Sequence, residues 1–214
     1  TRCSRDWSSD VCSSDLIAIF GGAFDPPTNA HFKIAKLILQ ESNWADEVWF
    51  MPAYNHRDGK QMVSYEHRLN MLNILVQNEP NIFASIYEGY YLLSGKTFEL
   101  MARLVDDLDD IEFAFVMGTD RADNIEKFYN YRELLNLPIK FIVISRDNGK
   151  NHEWYQTRRQ EEWYMKPPHI YLDLNMIDSS SLARLFLQKQ IGPINSLIDP
   201  RVLKYINENS LYVL

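Results

Sequence analysis

Cysteine is nearly missing from this 214-residue chain: Cys3 and Cys12 are the two it has, and both stand in its opening segment. From residue 16 onward neither a disulfide framework nor a thiolate metal site can be built, which suits a reducing cytoplasm. Long apolar runs are missing too. No stretch approaches the roughly 20 residues needed to span a bilayer, so no membrane partner is expected. Basic residues are in deficit, with 22 Lys and Arg against 29 Asp and Glu and a formal net charge of −7. That balance argues against a nucleic-acid-binding face, which usually meets a polyanion with positive charge. A small anionic substrate needs only a few local cations and stays compatible. With 46% hydrophobic and 24% charged residues, the composition is that of a folded globular chain. Oligomeric state leaves no mark that can be read.

Residues 1–15, TRCSRDWSSDVCSSD, carry neither a helical nor a strand period and lack the apolar region of a signal peptide. The run DWSSDVCSSDL is also what a common sequencing-adapter oligonucleotide gives when translated in one frame. We therefore expect a non-native or disordered leader over 1–15, with the native chain beginning just before Leu16. No internal repeat or linker divides residues 16–214, which are expected to form a single domain.

Short apolar runs alternate with amphipathic stretches along that domain. The runs are 17–20, 47–52, 82–87, 113–118, 140–145 and 169–174. Helical spacing lies between them, at Ile34, Leu37 and Ile38, then Leu69, Leu72 and Val76, then Leu100, Met101, Leu104, Val105 and Leu108. Continuous apolar strands alternating with helices predict an α/β fold: a doubly wound, mostly parallel, Rossmann-like sheet of five to six strands covered on both faces. Ligands of such sheets bind beyond the carboxyl ends of the strands. The stretch 146–168, with Trp154, Arg158, Arg159 and Trp163, fits either a charged surface helix or a flap over a substrate, and we favour the helix. The acidic run Asp106, Asp107, Asp109 and Asp110 reads as a solvated helix end.

The segment 17–31, IAIFGGAFDPPTNAH, has the build of a nucleotide-phosphate site. Gly21 and Gly22 let a phosphate approach the backbone, and the following helix start offers unpaired N–H groups and partial positive charge. Thr28 and His31, three residues apart, then project toward a triphosphate and stabilise charge developing during phosphoryl transfer. The same residues also make a plain strand-to-helix turn with a surface histidine. A second phosphate element lies at 178–184, where Ser179, Ser180 and Ser181 open a helix and Arg184 follows one turn later. Hydroxyls, backbone donors and a guanidinium fork can clamp a pyrophosphate there, although a serine-rich start is equally an ordinary N-cap.

Gly21-Gly22-Ala23-Phe24-Asp25-Pro26, Thr28 and His31 resemble the signature of the nucleotidylyltransferase superfamily, with Ala23 in place of a hydroxyl residue and Thr28 at the first histidine position. Ser179, Ser180, Ser181 and Arg184 resemble its second motif, with Asp178 where an isoleucine is usual. Intermediate segments resemble the pyridine-nucleotide branch of adenylyltransferases. Pro52, Lys60, His67 and Arg68 match a proline, a loop lysine and a His-Arg pair of that branch; the resemblance implies that Lys60 serves the mononucleotide by meeting a phosphate, or else remains a solvated loop lysine, and His67 and Arg68 are readable as helix-surface residues. It further implies that Thr97, otherwise a plain N-cap, helps hold the pyridine mononucleotide, and that Phe128, beside Tyr129 and Tyr131, offers it an aromatic face, although these aromatics read equally as core residues. Gly118 and Asp120 would contact adenosine, Asp120 accepting from ribose hydroxyls or the adenine amino group. ATP would then lie against Gly21, Gly22, Ala23, Phe24, Gly118, Asp120, Ser179, Ser180 and Ser181, with His31, Thr28 and Arg184 at the reacting phosphates. The implied activity joins nicotinate or nicotinamide mononucleotide to ATP, with Mg²⁺ carried mainly by the phosphates. A phosphopantetheine adenylyltransferase, a cytidylyltransferase and a non-catalytic nucleotide sensor are the alternatives.

Overall fold

The computed structural model describes residues 16–40, 44–55, 62–145, 162–172, 180–189 and 192–213. The leader 1–15 and residues 146–161 lie outside them, and with them the expectations for the leader and for a helix or flap over 146–161. Strand and helix alternate from the start: β1 (Leu16–Gly22), α1 (Asn29–Gln40), β2 (Glu47–Pro52), α2 (Tyr65–Val76) and β3 (Ile82–Ala84). The single turn α3 (Tyr87–Tyr90) and α4 (Thr97–Asp107) lead to β4 (Glu112–Gly118), α5 (Thr119–Ala122), α6 (Tyr131–Asn136) and β5 (Ile139–Ile144). Then come β6 (Ile170–Leu172) and the three helices α7 (Ser180–Lys189), α8 (Ile194–Leu197) and α9 (Pro200–Glu208).

All six expected strands form, and each hydrogen-bonded pair is parallel, in the order β3-β2-β1-β4-β5-β6. Side chains of a strand point alternately to its two faces, and both faces are buried here. Leu16, Ala18 and Phe20 of β1 enter one core with Ile34 and Ile38 of α1, Leu72 of α2 and Val202 and Ile206 of α9. Ile17 and Ile19 enter the other, with Leu100, Met101 and Leu104 of α4 and Leu134 of α6. This two-sided burial is why the strands read as unbroken apolar runs rather than alternating ones.

Helix starts follow local chemistry. The Ser64 hydroxyl caps α2 by accepting from the His67 N–H, and Asp199 caps α9 ahead of Pro200. Thr97, whose alternative reading is a plain cap, is the first residue of α4; Lys96 occupies the cap position and makes no side-chain cap bond. The described end of the 146–168 stretch is a 3₁₀ turn, Trp163–Met165, with Tyr164 fully buried and its hydroxyl donating to Asp123 at 2.7 Å. Within the acidic run, Asp107 closes α4, accepts from the Tyr87 hydroxyl at 2.6 Å and pairs with Arg103.

Leu104 is fully buried between α4 and the sheet. Leu104→Ala is expected to cost about 2–5 kcal/mol, the range for emptying a core leucine site, measured by urea unfolding; a loss under about 1 kcal/mol would show that the site collapses around the gap.

Candidate active site at the strand ends

The sheet order places a crevice at the carboxyl ends of β1 and β4. The chain leaves β1 toward β2 and β3 on one side and returns to β4 on the other, so the connecting loops part between them. A cleft of about 300 Å³ opens there. Gly21, Gly22, Ala23 and Phe24 form one wall and Gly118, Asp120 and Arg121 another, while His31, Thr97, Phe128 and Ser180 reach it from α1, α4, the loop before α6 and the start of α7. The two motif segments, separated by more than a hundred residues of sequence, thus meet on one cavity.

Crowding as well as access favours glycine at the end of β1. A Cβ on Gly21 would stand 3.0 Å from the Phe115 ring, and one on Gly22 would stand 3.1 Å from the Phe24 ring. Phe24 itself has a positive φ of 48° and is buried, turning the chain from the strand toward α1.

His31 is held in one orientation. The Thr28 N–H donates to its Nδ1 at 3.0 Å, and the Thr28 hydroxyl lies 2.8 Å from the same nitrogen. An amide N–H can only donate, so Nδ1 is the acceptor, the neutral ring carries its proton on Nε2, and the hydroxyl donates to Nδ1 as well. Phe20 and Phe24 pack against the ring with centroids 5.8 and 5.1 Å away. Thr28 is fully buried, so it reaches the site through the histidine rather than by lining the cleft.

Asp25 ties the loop to three distant segments. Its carboxylate is 1% exposed and accepts from the Tyr212 hydroxyl at 2.7 Å and the Val63 N–H at 3.4 Å. Arg184 approaches the other carboxylate oxygen at 3.2 Å and also donates to the Asp25 carbonyl. Arg184 therefore sits beside the cleft, bound to the first loop, and is not part of the cleft wall. Ser180 does line the cleft, and its hydroxyl donates to the Pro26 carbonyl at 2.8 Å.

Arg68 is a correction to the surface reading. It is 1% exposed, and its guanidinium donates to the Val63 carbonyl at 2.9 Å and the Ala23 carbonyl at 2.8 Å. It therefore braces the glycine loop from beneath, and burial pushes its pKa down against the favourable pull of Asp25. His67 meets the Tyr205 hydroxyl at 2.8 Å, away from the cleft wall. Phe128 is buried at the cleft with the Arg121 guanidinium 4.7 Å from its ring, whereas Tyr129 is largely exposed. Lys60 and Ser179 lie outside the described residues, as does the side chain of Ser181.

Sequence reading missed Glu88. It lines the cleft, is 4% exposed, and accepts from the Tyr54 N–H at 2.8 Å. Burial pushes its pKa up to about 7, opposed by the Tyr54 hydrogen bond and by Arg68 and reinforced by Glu99. The only signal was an acid amid aromatics, IYEGYY, which marks no motif. Tyr212 left no signal, because its partner is 187 residues away.

Glu88 binds its proton more tightly folded than unfolded, so stability falls as pH rises from the ordinary glutamate value toward about 7. The group's contribution to that loss is about 3 kcal/mol. Urea unfolding at pH 5 and pH 8 should show Glu88→Gln gaining on the parent chain at the higher pH by about that amount; an equal difference at both pH values would overturn the assignment.

The family described as cytidylyltransferase-like matches residues 19–184. The nicotinate-nucleotide adenylyltransferase of Bacillus subtilis (strain 168) is 30% identical over 198 residues, covering 92% of this chain and 97% of its own. Among solved structures, the Plasmodium falciparum nicotinic acid mononucleotide adenylyltransferase complexed with NaAD is similar with a TM-score of 0.74 and 27% identity, over 92% of this chain and 97% of that one. The same Plasmodium enzyme complexed with APC also matches with a TM-score of 0.74, at 26% identity. The chain belongs to the cytidylyltransferase-like family, in the branch that holds the nicotinate-nucleotide adenylyltransferases.

Proposed function

We propose that this nucleotidyltransferase joins nicotinate mononucleotide, or its nicotinamide counterpart, to ATP, giving the dinucleotide and pyrophosphate. The observation that carries the reading is the meeting of the Gly21–Gly22 turn, the Nε2-protonated His31 and the start of α7 around one cleft at the β1–β4 crevice. An oxygen of the mononucleotide's 5′-phosphate attacks the α-phosphorus of ATP. The new P–O bond forms as the bond between the α-phosphorus and the bridging oxygen breaks, and pyrophosphate leaves with the electron pair.

The attacking phosphate is already ionised and needs no base. The chain's work is then to position the reactants and stabilise charge. His31, set by Thr28, donates from Nε2 to the transferring phosphoryl oxygens. Ser180, Arg184 and the donors at the start of α7 meet the departing pyrophosphate, with Ser179 and Ser181 added from the same segment. Gly118 and Asp120 face adenosine; Thr97, Phe128 and Lys60 serve the mononucleotide.

Among the described residues, no group of three or more His, Cys, Asp or Glu side chains is arranged to hold a metal ion. The donor set at the phosphate end consists of N–H and O–H groups, which fit phosphate oxygens rather than a cation. That set suits Mg²⁺ held by the ATP phosphates and water, where it neutralises charge on the triphosphate.

Pyrophosphate release is to be measured with ATP, Mg²⁺ and each mononucleotide in turn, comparing the two specificity constants. Turnover with a pyridine mononucleotide is expected, whereas ATP binding without turnover would replace the enzyme by a nucleotide sensor. In the same assay His31→Ala should lower turnover by at least about two orders of magnitude, as removal of a positioned charge stabiliser does. Near-normal turnover in the folded variant would remove His31 from this role.

A further inference from the structure

The phosphate elements converge on a carboxylate that cannot itself bind a phosphate. Asp25 is buried beside the cleft, and Arg184, the cation needed for pyrophosphate, lies against both its carbonyl and its Oδ2. Two anions, the Asp25 carboxylate and the incoming pyrophosphate, thus compete for one guanidinium. What decides the competition is how well Asp25 is satisfied without Arg184. The Val63 N–H is a long donor at 3.4 Å, and Arg68, the next cation, attracts Asp25 by charge while its hydrogen bonds go to the Ala23 and Val63 carbonyls. The strong neutral donor is the Tyr212 hydroxyl, 2.7 Å from Oδ1, held in the tail beyond α9 by a residue with a positive φ of 63°.

We propose that Tyr212 is a positioning residue for the nucleotide: its hydroxyl satisfies the Asp25 carboxylate so that the Arg184 guanidinium can turn from Asp25 to the pyrophosphate. The inference rests on the adenylyl-transfer reading, and extends it to a segment outside both motifs. A carboxylate deprived of this donor would have to be satisfied by Arg184, because a buried charge left with fewer partners holds its remaining counter-ion harder. The tail therefore sets how much of Arg184 the ligand can recruit. Burial, together with the Asp25 charge, pushes the Tyr212 pKa upward, so the hydroxyl stays a donor throughout the working pH range.

The test compares the parent chain with Tyr212→Phe, which removes one oxygen and leaves the ring in place. Inorganic pyrophosphate is titrated into each protein by calorimetry, and the KM values for ATP and for the mononucleotide are taken from the release assay. Y212F should weaken pyrophosphate binding and raise the KM for ATP by about tenfold, the scale of one hydrogen bond to a charged group, while the KM for the mononucleotide moves less than twofold. In an Asp25→Asn background, where no carboxylate competes, adding Y212F should change pyrophosphate affinity less than twofold. Equal weakening of both substrates, or a lowered Tm with unchanged ATP and pyrophosphate values, would make Tyr212 a packing residue and overturn the inference.

If Y212F does not fold, the parent chain labelled with ¹³C at tyrosine Cζ decides instead. The Tyr212 resonance should shift when pyrophosphate saturates the protein, and an unmoved resonance would overturn the inference. Parent turnover is the separate control: an inactive parent chain defeats the adenylyl-transfer reading itself, whereas an active parent matched by Y212F defeats only the role of Tyr212.

Discussion

Satisfying one buried carboxylate organises the glycine-loop end of the cleft. Asp25 sits in the first loop after the first strand, and its donors come from Val63 in the loop before α2, from α7 and from the tail after α9. Withdrawing a carboxylate from water costs several kcal/mol unless donors replace the lost hydration. The loop and those three segments thus hold one another in place through this carboxylate. Arg68 repeats the arrangement with opposite charge, a buried guanidinium donating to the Ala23 carbonyl of that loop and to the Val63 carbonyl ahead of α2. The glycine pair consequently owes its fixed shape to polar contacts made far from it in sequence.

Such contacts explain why the fold was more legible than the site. Strand positions follow from burial on both sheet faces, which leaves unbroken apolar runs such as FAFVMG, and the six runs became the six strands. The helical faces of α1, α2 and α4 were readable for the same reason, since a core selects side chains by period. At the site, Gly21, Gly22, His31, Gly118, Asp120 and Ser180 were legible because each falls at a strand end or helix start. Arg68, Glu88 and Tyr212 were not, because their parts depend on which distant group the folded chain sets beside them. An arginine in a helical stretch, YEHRLNML, looks solvated until the loop it supports is folded over it. Thr97 shows the converse: a residue type that favours caps took the first helical position when Lys96 occupied the cap.

The lining of the cleft is mixed in character. His31 and Ser180 reach it beside the glycine loop, with Arg184 bound to Asp25 next to them. Phe128 and the nearly buried acid Glu88 line it as well, and burial raises the Glu88 pKa.

The locked imidazole has a further consequence for what the cleft can accept. With Nδ1 engaged by Thr28 and the proton on Nε2, His31 has no lone pair with which to take a proton from an attacking group. An alcohol or an amine delivered to the cleft could not pass its proton to His31, while a phosphate monoester arrives without one to lose. The tautomer thereby suits a nucleophile that is already ionised, a preference separate from the shape of the pocket.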